Sequence, residues 1–180
     1  MVMKTKIFLT LIIAIVSASC ARSTISDDRV SLFLTSFIKN DVKVSIRLDG
    51  NANEEYVLSA TFTPPDGYHL YSKDIPLTGV DGLGRPTLLE LTSESQMKTL
   101  GGLMENVKAQ KPDFEPKDLL IYPVGAVTLS LPIELPPGNE WVDDAVKVTY
   151  MLCSNNSCKE PVIGKIVPVR IPGEGVFAGQ

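Results

Sequence analysis

Hydrophobic and polar residues alternate with a period of two along several short stretches of the chain. The clearest stretches are VKVSIRL from Val42, EYVLSATFTP from Glu55, GAVTLSLPIEL from Gly125, AVKVTYML from Ala145 and VIGKIVPVRI from Val162. Such alternation is typical of half-buried β-strands. YHLYS and RPTLLEL predict two shorter strands, and turns rich in proline and glycine, such as PPDG and PPGNEW, separate the segments.

The pattern predicts an all-β fold, since about seven or eight short strands with turns between them are typical of a sandwich. We expect an immunoglobulin-like β-sandwich over residues 41–172, followed by a C-terminal tail at 173–180. Residues 21–40 are expected to be an N-terminal tether or a first strand. Residues 93–112, in which two glycines interrupt the pattern, are interpreted as an excursion between strands.

Residues 1–20 differ in pattern from the rest of the chain. Lys4 and Lys6 precede an apolar run from Ile7 to Val16 and then small residues, which predicts a secretory signal peptide. The ending VSASC is similar to a bacterial lipobox, so lipidation of Cys20 is one expectation and ordinary cleavage nearby is the other. Either way we expect an exported, periplasmic protein, which is soluble after ordinary cleavage and attached to the membrane only through Cys20 after lipidation.

Composition and charge narrow the function classes. The 180 residues are 44% hydrophobic and 21% charged, which is ordinary for a globular protein. The formal net charge is −4, and removal of residues 1–20, with two lysines and no acidic residue, makes it more negative. Nucleic-acid binding needs a basic face, so we expect no nucleic-acid partner.

Beyond Cys20 the chain has two cysteines, Cys153 and Cys158, separated by the loop SNNS. The pair is too close in sequence to bridge opposite sheets, as the inter-sheet disulfide of immunoglobulin domains does. Asn155 and Asn156 tolerate positive φ, so the loop can fold back and bring the sulfurs together. Lys159, directly after the second cysteine, could favour a thiolate there.

The spacing alone leaves three functions open for the pair: a structural staple, a redox couple or a metal site. A disulfide closing so short a loop stabilises by only about 2 kcal/mol, against about 4.7 kcal/mol for a loop of about 100 residues. A short exposed loop instead gives a partner thiolate access to a sulfur. Zinc is disfavoured because no second cysteine pair exists, whereas copper(I) could add the soft ligand Met151 and also His69.

Three blocks of the sequence resemble the amino-terminal periplasmic domain of the thiol:disulfide interchange protein DsbD, a family with free-standing members. The blocks are DGYHLYSKDIPLT from Asp66, IYPVGAVTLSLPIEL from Ile121 and VKVTYMLCSNNSCKEPV from Val146. The resemblance implies an immunoglobulin-like sandwich that carries out dithiol–disulfide exchange without a cofactor, because the cysteines themselves hold the two electrons. It also implies thioredoxin-like periplasmic partners and a membrane reductase, here as separate proteins.

By the same resemblance, Cys153 and Cys158 match the redox pair. Cys158 would attack and be attacked by partners, while Cys153 would resolve the mixed disulfide. Tyr68 and Tyr71 match aromatic positions near that site, although packing in the core is an equally good interpretation.

The resemblance also places a cap over the cysteines. Phe114 would be its phenylalanine, with Asp113 or Glu115 as the neighbouring acid. His69 stands where the family commonly has an aromatic residue; it could tune a thiol, but a lone histidine on a strand is more often a solvated or core side chain. One further departure is Glu160, which precedes Pro161 where family members often have a second proline.

Overall fold

The computed structural model describes residues 29–51 and 54–177. Residues 1–20, expected to form a signal peptide, and the candidate lipidation site Cys20 lie outside the described part. The elements are β1 (Val30–Lys39), β2 (Val42–Gly50), β3 (Tyr56–Thr63), β4 (His69–Leu70), β5 (Leu88–Leu91), β6 (Lys98–Thr99), β7 (Met104–Glu105), β8 (Val127–Glu134), β9 (Trp141–Tyr150), β10 (Leu152–Cys153), β11 (Val162–Pro172) and the single-turn helix α1 (Glu174–Phe177).

The strands form three antiparallel sheets. In the largest sheet the order is β1-β2-β3-β8-β6, and β7 also pairs with β8. A second sheet has the order β11-β9-β5, and β10 pairs with β4 in a two-stranded sheet. The predicted all-β class is confirmed, and the two larger antiparallel sheets are consistent with the predicted immunoglobulin-like sandwich.

The hydrophobic core lies between the two larger sheets. Alternate side chains of β2, β3 and β8 enter the core from the largest sheet. Side chains of β9 and β11 enter it from the second sheet. Phe62 of β3 and Tyr150 of β9 meet edge to face across the core, with ring centroids 5.6 Å apart. The Tyr150 hydroxyl donates a hydrogen bond of 2.9 Å to the Lys39 carbonyl, and burial raises the pKa of Tyr150 to about 12.

Both ends of the described chain pack on the sandwich. β1 lies within the 21–40 segment, for which the sequence left a tether or a strand open, and pairs along its length with β2. α1 lies within the expected tail, and its Phe177 packs edge to face on Tyr56 with centroids 5.2 Å apart. A side chain at Gly50 would collide with the Phe177 ring, so this position needs a glycine.

The excursion at residues 93–112 contains β6 and β7, whose pairing with β8 completes the edge of the largest sheet. A polar contact anchors its start, because Asp144 accepts hydrogen bonds from the Ser95 hydroxyl and the Gln96 amide. Across residues 29–51 and 54–177, no helix is long and apolar enough to cross a membrane.

One predicted strand is divided in the structure. The stretch AVKVTYML predicts a single strand, but β9 ends at Tyr150 and the chain leaves its sheet at Met151. Leu152 and Cys153 then pair with Leu70 and His69 of β4 instead. Sequence alternation could not reveal this break, because Tyr150 and Leu152 on either side of it are both buried in the main core, so the alternation continues across it. The break places the first cysteine of the pair in the two-stranded sheet, opposite His69.

Candidate functional site

Cys153 and Cys158 are joined by a disulfide, with Cα atoms 4.0 Å apart. The four residues between them form a tight turn in which the Ser154 amide donates to the Ser157 carbonyl at 2.8 Å. The Ser154 hydroxyl accepts from the amides of Asn156 and Ser157. The expectation that positive φ at the asparagines closes this loop is wrong, because neither Asn155 nor Asn156 has positive φ. A serine hydroxyl that satisfies two amides closes it instead.

The two sulfur-bearing residues differ sharply in exposure. Cys153 is only 1% exposed, because it lies in β10 with a hydrophobic cluster over it. Cys158 is exposed at the end of the turn. A thiolate from another protein therefore has access to Cys158, while Cys153 is shielded from direct attack.

Lys159, which was expected to favour a thiolate at Cys158, is paired with a carboxylate. Its ammonium lies 2.8 Å from an Asp41 carboxylate oxygen, and both side chains are largely exposed. The hydrogen bond that Lys159 donates to the Asp41 carboxylate, together with the negative charge of that carboxylate, raises the pKa of Lys159. Because this cation already has a carboxylate partner, its influence on Cys158 is weakened.

A small hydrophobic cluster, distinct from the main core, surrounds Cys153. Its buried members are Tyr71, Ile75, Leu119 and Cys153, with Met151 and Ile121 packed at the edge. The Tyr71 carbonyl accepts a hydrogen bond of 2.7 Å from the Thr87 hydroxyl, which fixes its backbone. Burial raises the pKa of the Tyr71 phenol, so the ring remains neutral. The apolar cluster therefore supports the buried half of the disulfide.

A cavity of about 600 Å³ opens beside the exposed half of the disulfide. Cys158, Ser154 and Asn155 line one side of it, and Tyr71 and His69 line its floor. Two loop segments, at residues 82–84 and 113–115, also line it, together with Leu119, Ile121 and Met151. The cavity thus brings together the cysteine loop, the aromatic strand and the expected cap segment, which are far apart in sequence.

The structure separates the two tyrosines that the resemblance grouped together. Tyr71 lies in the Cys153 cluster and lines the cavity. Tyr68 is half-buried and packs against the main core instead, outside the residues that line the cavity. The surroundings of Tyr68 are those of a residue that packs in the core. Tyr71 is both a buried packing residue and a neighbour of the cysteines.

The segment 113–115 lies at the cavity, where the resemblance placed a cap. Phe114 is 39% exposed, and its ring lies over the His69 imidazole with centroids 6.2 Å apart. Asp113 and Glu115 are exposed on either side of it and also line the cavity. The Lys117 ammonium donates a hydrogen bond of 3.2 Å to the Pro112 carbonyl, which ties the two ends of the segment together. An exposed phenylalanine is therefore held beside the disulfide.

Phe114→Ala is expected to speed reduction of the disulfide by a small thiol. An aromatic contact such as that of Phe114 with His69 is worth about 0.5–1.5 kcal/mol, so losing it opens the site by about two- to tenfold. The measurement is the rate of reduction by dithiothreitol under pseudo-first-order conditions. Val124→Ala, which removes an exposed apolar side chain away from the cavity, is the matched control. Equal rates for Phe114→Ala and the unsubstituted protein would show that the ring does not shield the disulfide.

His69 is a buried core side chain with an unusual feature. It is 7% exposed and packs edge to face against Tyr71, with centroids 5.4 Å apart. Its Nε2 atom is buried and has no hydrogen-bond partner. Burial lowers the pKa of His69 below the ordinary histidine value. The imidazole is therefore neutral at neutral pH.

Met151 and His69, the additional ligands considered for copper(I), both line the cavity with Cys158. Among the described residues, no group of three or more histidine, cysteine, aspartate or glutamate side chains is arranged to hold a metal ion.

The hairpin at residues 79–85 contributes to the site but was not found from the sequence. Val80 and Leu83 pair across it, and Leu83 projects its exposed side chain at the cavity rim. The Arg85 guanidinium donates to the carbonyls of Thr78, Gly82 and Gly84, which holds the turn. At Gly84 the φ is positive, and a side chain would collide with Leu119. The sequence GVDGLG carried this signal, since closely spaced glycines predict a backbone with positive φ.

No known protein family matches the chain, and no curated protein sequence matches it. Among solved structures, one that matches is the DsbD N-terminal domain of Neisseria meningitidis in the reduced form. The two chains are 14% identical, with a TM-score of 0.42, over 78% of this chain and 85% of that one.

Proposed function

We propose that this protein is an exported thiol–disulfide exchange module that works through the Cys153–Cys158 pair. The observation that carries the proposal is the asymmetry of the disulfide, with one sulfur exposed at a cavity and the other buried. A staple needs neither feature, and a loop this short yields only about 2 kcal/mol of stabilisation. The resemblance of three sequence blocks to a family of thiol-exchange domains supports the same function.

In the proposed reaction, a thiolate of a reduced donor attacks the Cys158 sulfur. The Cys153–Cys158 bond breaks, Cys153 leaves as a thiolate and takes up a proton, and donor and Cys158 form a mixed disulfide. The second thiol of the donor then attacks that bond, releasing Cys158 and leaving the donor as a disulfide. Two electrons and two protons have passed to this protein, and the reverse sequence passes them to an oxidised client.

The surroundings of the pair suit a protein partner. The rim of the cavity carries the exposed apolar side chains of Leu83 and Phe114, and an exposed apolar rim favours contact with another protein. We propose thioredoxin-like periplasmic proteins as partners and a membrane reductase as the source of electrons. The proposed location is the periplasm, reached through the signal segment at residues 1–20, with lipidation at Cys20 as the means of membrane attachment.

The reduction potential of the pair tests the proposal. We expect a value above about −300 mV, because exchange-active disulfides lie above the range of inert structural ones. The protein is equilibrated in glutathione or dithiothreitol buffers, and its free thiols are counted by mass after alkylation. Transfer from a reduced thioredoxin-like protein is measured in parallel. A potential well below that value, with no transfer, would leave the disulfide a structural staple and the module non-enzymatic.

A further inference from the structure

His69 and Cys153 are directly opposite each other in the small sheet. They are register partners in the antiparallel pairing of β4 with β10. Side chains of such partners lie on the same face, with Cβ atoms about 4.5–5.5 Å apart. Both residues are buried, and the histidine also lines the cavity that Cys158 faces. The imidazole is thus adjacent to the disulfide, although 84 residues of sequence separate it from Cys153.

The Nε2 atom of His69 is left without a partner in the disulfide form. It is buried and no described group donates to it or accepts from it. A buried polar atom without a hydrogen bond costs about 1–3 kcal/mol, and such an atom in a native protein calls for an explanation. A disulfide sulfur carries no proton, so Cys153 has nothing to donate in this state. Reduction changes this, because the thiol formed at Cys153 has an S–H group.

We propose that His69 Nε2 accepts the proton of the Cys153 thiol during exchange, a role that rests on the proposed function of the pair. In the mixed disulfide, the partner is bonded to the Cys158 sulfur and Cys153 is a buried thiol. The Cys153 proton passes to Nε2, and the resulting thiolate attacks the Cys158 sulfur. The Cys153–Cys158 bond forms, the bond from Cys158 to the partner breaks, and the partner leaves as a thiolate. That thiolate takes a proton from solvent or from the imidazolium.

Because Cys153 is buried, its thiol proton needs an acceptor inside the protein. The thiolate, not the thiol, is the nucleophile in disulfide exchange, and burial in apolar surroundings disfavours its formation. Solvent reaches Cys153 poorly, because Tyr71 and Leu119 pack around it. A neighbouring imidazole can take the proton without water, and the imidazolium then stabilises the thiolate.

The charge state of His69 at neutral pH suits this role. The titratable groups near it are Tyr71 on its own strand segment, Cys153 and Cys158 opposite, and Asp113 and Glu115 on the cap segment. Burial is the cause that lowers its pKa. Above that pKa the imidazole is neutral and can accept a proton, while acidification through it blocks acceptance. The resolving step is therefore expected to slow in acid and to vary little around neutral pH.

The pH profile of the resolving step is the first test. The reduced protein is mixed with an aromatic disulfide in a stopped-flow instrument, and release of the second aromatic thiolate reports attack by Cys153. For the unsubstituted protein we expect little change between about pH 7 and 8. In His69→Phe or His69→Gln the thiolate forms only by loss of the proton to solvent, so the rate should rise about tenfold per pH unit. Identical profiles for all three proteins would overturn the inference.

A second test needs no substitution of His69 and no partner protein. His69 is the only histidine in the chain, so its ¹⁵N resonances are assigned without ambiguity. We expect the Nε2 resonance to shift on reduction with dithiothreitol. Cys158→Ala, which keeps the Cys153 thiol, should show the shifted resonance, whereas Cys153→Ala should not. An Nε2 resonance that is the same with and without the Cys153 thiol would overturn the proposed interaction of His69 Nε2 with Cys153.

The two proposals fail separately. If thioredoxin-like proteins transfer no electrons but the His69 resonance still responds to Cys153, the proposed function fails. The proposed interaction of His69 with Cys153 then stands. Normal transfer, with the same pH profile in His69→Phe, would count against His69 alone.

Discussion

Cys153→Ala is expected to form a stable mixed disulfide with a partner, while Cys158→Ala is expected to form none. In the first variant the remaining thiol, Cys158, is exposed at the cavity, and no second cysteine releases the partner. In the second variant the remaining thiol, Cys153, is 1% exposed beneath the Tyr71 cluster. Attack by a buried thiol requires local opening, so its rate should be lower by more than about tenfold.

The measurement is the rate of adduct formation with an aromatic disulfide, followed by mass after acid quenching. Each variant is the control for the other, because both lack the disulfide and differ only in which sulfur remains. Thermal unfolding of the two should agree, so that a difference in rate reports access and not stability. Faster reaction of Cys158→Ala would reverse the assigned roles and make Cys153 the sulfur that meets partners.

Phe62→Ala is expected to lower the free energy of unfolding by about 3–5 kcal/mol, the usual cost of emptying a buried phenylalanine site. Phe62 is 0% exposed and packs against Tyr150 of the opposing sheet, so its removal leaves a void at the centre of the sandwich. A small domain has only about 5–15 kcal/mol of stability, so the variant would lose a large fraction of it.

Chemical denaturation of the oxidised protein measures this loss. Phe33→Ala is the matched control, because Phe33 lies on β1 with its side chain 57% exposed and should change stability by about 0.5 kcal/mol or less. Phe62→Leu, which keeps most of the volume, should fall between the two. A similar loss from both alanine variants would contradict a core located between the two sheets.

The strands of the sandwich were predictable where one face is buried and the other is not. β2 and β8 show strict alternation because their inward side chains are buried and their outward ones are half-buried or exposed, so the sequence period equals the structural one. The division of AVKVTYML at Met151 was not predictable in this way. Tyr150 and Leu152 are both buried in the main core, so the alternation continues across the break. Alternation records burial but not the pairing strand, and Tyr150 pairs with Val162 whereas Leu152 pairs with Leu70.

The candidate site was also predictable only in part. Three of its parts could be proposed from the sequence: Cys153 with Cys158, Tyr71, and the 113–115 segment. Tyr68 and Tyr71 are three positions apart, so a strand places them on opposite faces. Which of the two faces carries Cys153 depends on the tertiary structure, and it is the face of Tyr71. Likewise the Lys159 ion pair with Asp41 joins residues more than a hundred positions apart. No local pattern encodes such a contact.

The amino-acid sequence was sufficient to predict that this chain is built of β-strands and to place two cysteines within one short loop. Those properties are local, since alternation follows from the geometry of a strand and loop length from counting residues. Three further properties are visible only in the folded protein: which cysteine is buried, which aromatic ring lies beside it, and the position of His69 opposite Cys153 with an unpartnered nitrogen. These are consequences of the register between β4 and β10, which depends on how the whole sandwich packs.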